Sequence, residues 1–161
     1  MATMHDAYFA RRHGPVVSHR IRDHAVDLLN ALASSREKVE ADRRPIIFVV
    51  HSLGGLVCKD ALLVASRGPE QHLKMIIEST QGVVFIATPH SGSALAGMAR
   101  LPMQVFGLIR QVNSDLVSVL EIQSEVLERI QSDFLAVVRG RASLNAPLNI
   151  ACFYEYCQCQ E

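Results

Sequence analysis

Between the apolar run IIFVV and a stretch of helical periodicity the chain places His51, Ser52, Leu53, Gly54 and Gly55. A serine at such a junction suits nucleophilic chemistry. A G-x-S-x-G turn holds its serine in a strained position at the end of a strand, and small neighbours let the chain turn sharply. The helix that follows aims its free backbone N–H groups at the same point, where they can hold an oxyanion. Here Gly54 fills the second small position and Val50 stands at the first, where its branched side chain is expected to crowd the turn. Serine chemistry also needs a base and an acid that orients it. The chain has seven histidines, and His90 is the one that follows a second apolar run directly. His51 is expected to point away from the serine, and His72 reads as a solvated residue early in a polar helix. Cys157 and Cys159 form a C-x-C pair with no second pair or nearby histidine, so no metal site is expected.

The elements that must position these groups follow from periodicity. Ile21, Ala25, Leu28, Leu29, Leu32 and Val39 recur at mostly helical spacing, whereas residues 1–20 show no period and read as irregular. Pro45 opens IIFVV, a strand without alternation, which is how a strand reads when both its faces are covered. Leu56 to Ala65 suits a helix ended by Gly68-Pro69, and a shorter helix is expected from Glu70 to Glu78. GVVFIAT, residues 82–88, is a second all-apolar strand. Helices are expected over Ala94 to Val112 and Asp115 to Val138, with a stripe of Leu127, Ile130, Phe134, Val137 and Val138. LNIACFYE, residues 148–155, reads as the third strand. This alternation predicts an α/β protein whose parallel sheet is flanked by helices. Three strands leave long edges unpaired, so more strands are expected in the full fold.

Composition bounds the rest. A chain of 161 residues, 49% hydrophobic and 20% charged, can bury a core of its own. Sixteen basic and sixteen acidic residues cancel, which removes any overall attraction to nucleic acid or anionic membrane. The apolar runs are short and interrupted by charges, so no transmembrane segment is expected. The first residues lack the apolar core of a signal peptide, and a cytoplasmic address is the default expectation.

The longer text is more specific than the five-residue turn. RPIIFVVHSLGGLVCKDAL, then GVVFIATPHSGSALA, then FYE resembles the serine esterase, lipase-like branch of the α/β-hydrolases. That branch includes serine-active-site-containing proteins and the hydrolase-like N-terminal domains of fungal NACHT-type receptors. The resemblance runs from about Ile21 to Glu155. It implies a partial α/β-hydrolase domain over 21–161, with its elbow at 49–56, a TPHSGS loop at 88–93, a helical, lid-like insertion at 94–138 and a last strand at 148–155. By the same resemblance Ser52 is the nucleophile and Leu53 N–H an oxyanion donor. His51 and Gly54 complete the elbow, and Thr88, Pro89, His90, Gly92 and Ser93 form the substrate loop. Glu155 takes the position of the acid. The implied substrate is a carboxylic ester or lipid, and no cofactor is required.

In hydrolase order the base follows the acid, and no histidine follows Glu155. The resemblance therefore implies the middle part of a hydrolase, with His90 as the substitute base to consider. A second reading stays open: an inactive hydrolase-fold module that binds a protein partner or acts with further C-terminal domains. Relatives of this kind also imply the endoplasmic reticulum or mitochondrion as alternative locations. Each candidate has a plainer account as well. Glu155 could pair with a basic residue, His90 could brace its loop, and Asp60 could serve in packing or an ion pair. Leu101, Met103 and Phe106 could line an acyl pocket, but core packing is the favoured reading.

Overall fold

The computed structural model describes the backbone of residues 4–90 and 116–154, and side chains within 21–90 and 125–154. Among the described residues seven elements follow in the order α1 (Met4–Lys38), β1 (Ile46–His51), α2 (Gly54–Arg67), α3 (Gln71–Ser79), β2 (Thr80–Ile86), α4 (Leu116–Ser143) and β3 (Asn149–Phe153). The strands form one parallel sheet in the order β1-β2-β3, so each connection is a helical crossover. The fold is mixed α/β, a three-stranded parallel sheet flanked by helices. Among the described residues no helix is long and apolar enough to cross a membrane.

Helix α1 reaches back to Met4, into the stretch where the sequence shows no period. Ala25 and Leu29 are its buried contacts, while Val39 lies past the helix end and is exposed. The stripe expected on α4 faces inward, with Leu127, Ile130 and Phe134 buried and Val137 and Val138 packed against the core. The expected helix over 94–112 lies outside the described residues.

The core is one layer deep. Phe48 and Val50 of β1 and Val83 and Phe85 of β2 face Ala25, Leu29, Cys58, Ala61, Leu62 and Phe134 of the helices. On the opposite face Ile47 is 65% and Val49 66% exposed. By register Ile47 pairs with Gly82, Val49 with Val84, and Val84 in turn with Ala151, so these residues share that face. The expectation of strands covered on both faces is therefore corrected: among the described residues the helices pack against one face. An unbroken apolar run permits double burial but does not supply the second layer.

Candidate active site

The carboxyl ends of the three strands meet at one place, as the ligand crevice of an open parallel sheet requires. Ser52 directly follows β1 and has φ 51°, in the left-handed region that a residue with a side chain seldom enters. Its N–H donates to Ile86 O at 2.9 Å, which ties the turn to the end of β2, and its carbonyl accepts from Gly55 N–H at 3.1 Å. Leu53 then adopts right-handed helical angles (φ −62°, ψ −23°) and opens α2. The amides of Leu53 and Gly54 lie in the first turn, where a helix offers no intrahelical acceptor. Ser52 Oγ is buried and has no hydrogen-bond partner among the described residues.

The closeness of the next loop explains one glycine. A Cβ built on Gly55 would lie 2.3 Å from Thr88 Oγ1, whereas one on Gly54 meets nothing within 4 Å. The close packing that a glycine permits here falls on Gly55. Val50, expected to crowd the turn, is half-buried and packs into the core. Thr88 is buried beside the first turn of α2, and its Oγ1 also has no described partner. Ala87 repeats the strained geometry at φ 47°, and its N–H reaches Phe153 O at 2.8 Å. The end of β2 is thereby joined to both neighbours.

His90 sits on the same rim but turns to other partners. Its Nδ1 lies 2.8 Å from Lys59 Nζ and its Nε2 3.7 Å from Cys152 Sγ. Its ring stands edge-on to Phe85 at 5.0 Å and to Tyr154 at 6.0 Å. Burial, and then the Lys59 charge, hold its imidazole below the ordinary histidine range. Lys59 itself is fully buried. It donates to Gln131 Oε1 at 2.6 Å and lies 5.1 Å from the centre of the Phe85 ring. Burial lowers its ammonium from 10.5 to about 8.

Of the residues singled out from sequence, Ser52, Leu53, Gly54, Thr88, Pro89 and His90 gather at these strand ends. His51 is exposed and pairs with Ile86 in register. Gly92, Ser93 and Glu155 lie outside the described residues. Lys59, Gln131 and Cys152 escaped the sequence reading. Lys59 did leave a signal, because Gly55, Cys58, Lys59, Leu62 and Ala65 are spaced as one helix face and all are buried. Asp60 is buried against Arg22 at 2.9 Å, the ion-pair role expected of it.

A parallel α/β sheet with a left-handed serine at its carboxyl edge defines a class of hydrolase-like domains. Residues 17–122 match the family described as "Putative serine esterase (DUF676)", and the chain belongs to that family. It is similar to Protein SERAC1 of Mus musculus, 34% identical over 113 residues, which are 70% of this chain and 16% of the mouse protein. Protein SERAC1 of Bos taurus is 35% identical over 99 residues, or 61% of this chain and 14% of that protein. The Danio rerio protein of the same name is 43% identical over 53 residues, 33% of this chain and 8% of that protein. The matches thus span a small part of these relatives. They are animal proteins and lend no support to the fungal source suggested by the receptor resemblance. No solved structure matches the chain.

Proposed function

We propose that this chain is the nucleophile-bearing part of a serine esterase acting on a carboxylic ester or lipid, with Ser52 as the attacking residue. The observation that carries the proposal is the left-handed Ser52 between β1 and α2, its Oγ buried and unpartnered. A strained turn of this kind is the nucleophile elbow of α/β-hydrolases. Ser52 Oγ attacks the ester carbonyl, and Leu53 N–H at the α2 terminus donates to the oxygen that becomes negative. Thr88 and Pro89 form one wall of the substrate site, and the family resemblance assigns Gly92 and Ser93 to the same substrate loop. Glu155 orients the base, and His51 and Gly54 complete the turn. The base takes the Ser52 proton and returns it to the leaving alcohol. His90 braces the rim in this proposal, because its two ring nitrogens face Lys59 and Cys152. The proton acceptor then comes from beyond the described side chains.

The orphaned Ser52 Oγ also favours a second reading, an inactive hydrolase-fold module used for protein interaction. A fluorophosphonate probe separates the two. Labelling that disappears in Ser52→Ala supports the esterase. A folded chain that takes no label supports the interaction module.

A further inference from the structure

Helices α1, α2 and α4 pack against one another, and a cleft of about 310 Å³ lies where they meet. Each helix contributes one guanidinium to its lining: Arg22 from α1, Arg67 from α2 and Arg129 from α4. Two carboxylates share it, Asp60 of α2 and Asp133 of α4. Asp60 Oδ1 is 2.9 Å from Arg22 Nη2, and Asp133 Oδ2 is 3.0 Å from Arg67 Nη1. Three guanidiniums against two carboxylates leave the cleft with one positive charge in excess. Donors exceed acceptors by more than that. A guanidinium carries five N–H groups, and these ion pairs engage one terminal nitrogen of Arg22 and one of Arg67. The two side chains are 46% and 57% exposed, so N–H groups of both forks can reach a ligand in the cleft.

We propose that this three-helix cleft is a second binding site of the chain, one that takes the phosphate group of a small organic ligand through Arg22, Arg67 and Arg129. Planar guanidinium forks match phosphate oxygens two at a time, and the anion meets the excess positive charge. The space falls at the lower end of small-molecule sites, which run from roughly 300 to 1,000 Å³. It is larger than a bare phosphate needs, and Leu63 gives the lining an apolar portion for the group that carries the phosphate. Asp60 is the fixed part of the site, buried and tied to Arg22, which it holds in place at the edge of the cleft. Asp133 is the movable part. Its pair with Arg67 is open to solvent and weak, so an entering phosphate takes its place on the Arg67 fork. No residue of the serine turn lines the cleft, and the site does not rest on the esterase reading.

The test is calorimetric titration of the folded full chain, at fixed ionic strength, with glycerol 3-phosphate and with acetate. A parallel arm uses phosphatidylcholine vesicles with and without phosphatidic acid. Saturable binding of glycerol 3-phosphate assigns a soluble ligand, and binding of the phosphatidic acid vesicles alone assigns a lipid headgroup. In either arm Arg67→Gln, which loses only an exposed ion pair, is expected to weaken binding about tenfold. Asp133→Asn removes the competing carboxylate and is expected to tighten it several-fold. Arg139, an exposed arginine of α4 outside the cleft, is the control for bulk charge, and Arg139→Gln is expected to change nothing. No saturable binding in either arm overturns the proposal, as does acetate binding as tightly as the phosphate. So does equal weakening by Arg67→Gln and Arg139→Gln, or an Asp133→Asn variant that binds no better than the parent. Because the readout is binding, a chain that takes no fluorophosphonate label leaves the proposal standing.

Discussion

Ser52, Gly55 and Thr88 define the tightest part of the site, and they make a sharp residue-level prediction. Gly55→Ala forces a methyl group into the Thr88 side chain, where the separation would be 2.3 Å. Thr88 is buried and follows the strained Ala87, so it has little room to retreat. The substitution is expected to cost roughly 1–3 kcal/mol of stability, the range for overpacking a close contact. Gly54→Ala meets open space in the first helical turn. It is expected to be neutral or to stabilise by up to about 1 kcal/mol, because alanine is the better helix former. Urea unfolding of the two variants checks the contrast, and equal losses would show that the Thr88 approach is not the constraint. The Asp60–Arg22 pair supplies another asymmetry. Burial raises the Asp60 carboxyl, and Arg22 only partly opposes this. Arg22→Ala leaves a buried carboxylate short of its nearest cation and is expected to cost on the order of 2 kcal/mol. Asp60→Asn leaves an arginine that water already reaches, with its side chain 46% exposed. Its expected cost is under about 1 kcal/mol, and the reverse order in thermal unfolding would refute the argument.

The elements divide sharply by face. Phe134 of α4 is buried, edge-on to Phe85 of β2 at 6.0 Å. Phe134→Ala is expected to cost about 3–5 kcal/mol. Ile47→Thr, on the other face of β1, is expected to cost under about 1 kcal/mol, because its side chain already meets water and threonine keeps the β-branch. A comparable loss from both, read from urea midpoints, would mean that the open face is covered in solution. Much of the layout was legible beforehand. The period of α2 and α4 marked their buried faces, and the all-apolar runs marked β1 and β2 as parallel strands. Less legible was what a one-letter pattern leaves undetermined. An apolar run does not say which face receives helices, and residues 1–20 carry no period although α1 runs through most of them. Ser52 was visible because a turn of that shape demands particular residue types. Lys59 was overlooked because charge normally means exposure, even though its position among Cys58 and Leu62 placed it inward. Cys152 gave no signal at all, since only parallel pairing with Phe85 brings it beside His90.

For the whole molecule, these buried groups set how stability follows pH. A group that binds its proton more weakly in the fold lets stability rise with pH, by about 1.4 kcal/mol per unit while it is released in the fold alone. His90 is held low, so stability should fall as acid brings the unfolded histidine through its ordinary value of 6.5. Lys59 loses its proton at about 8 in the fold and at 10.5 in the unfolded chain. Stability is therefore expected to climb by about 1 kcal/mol between pH 8 and 9. Cys58 acts in the opposite sense. Its thiol ionises at 9.0 when unfolded and at about 12 when buried, so stability is lost above pH 9. Between 9 and 10.5 the two slopes cancel, and a plateau is expected. Beyond it the lysine no longer contributes, Cys58 continues to favour unfolding, and the raised Tyr154 hydroxyl adds to the decline. Urea titrations under reducing conditions from pH 6 to 11 trace this profile. In Lys59→Met the climb should vanish and the decline should begin at pH 9. A wild-type curve that is flat through pH 8 to 9 would mean that Lys59 keeps its charge in the fold, with a counter-charge already in place beside it.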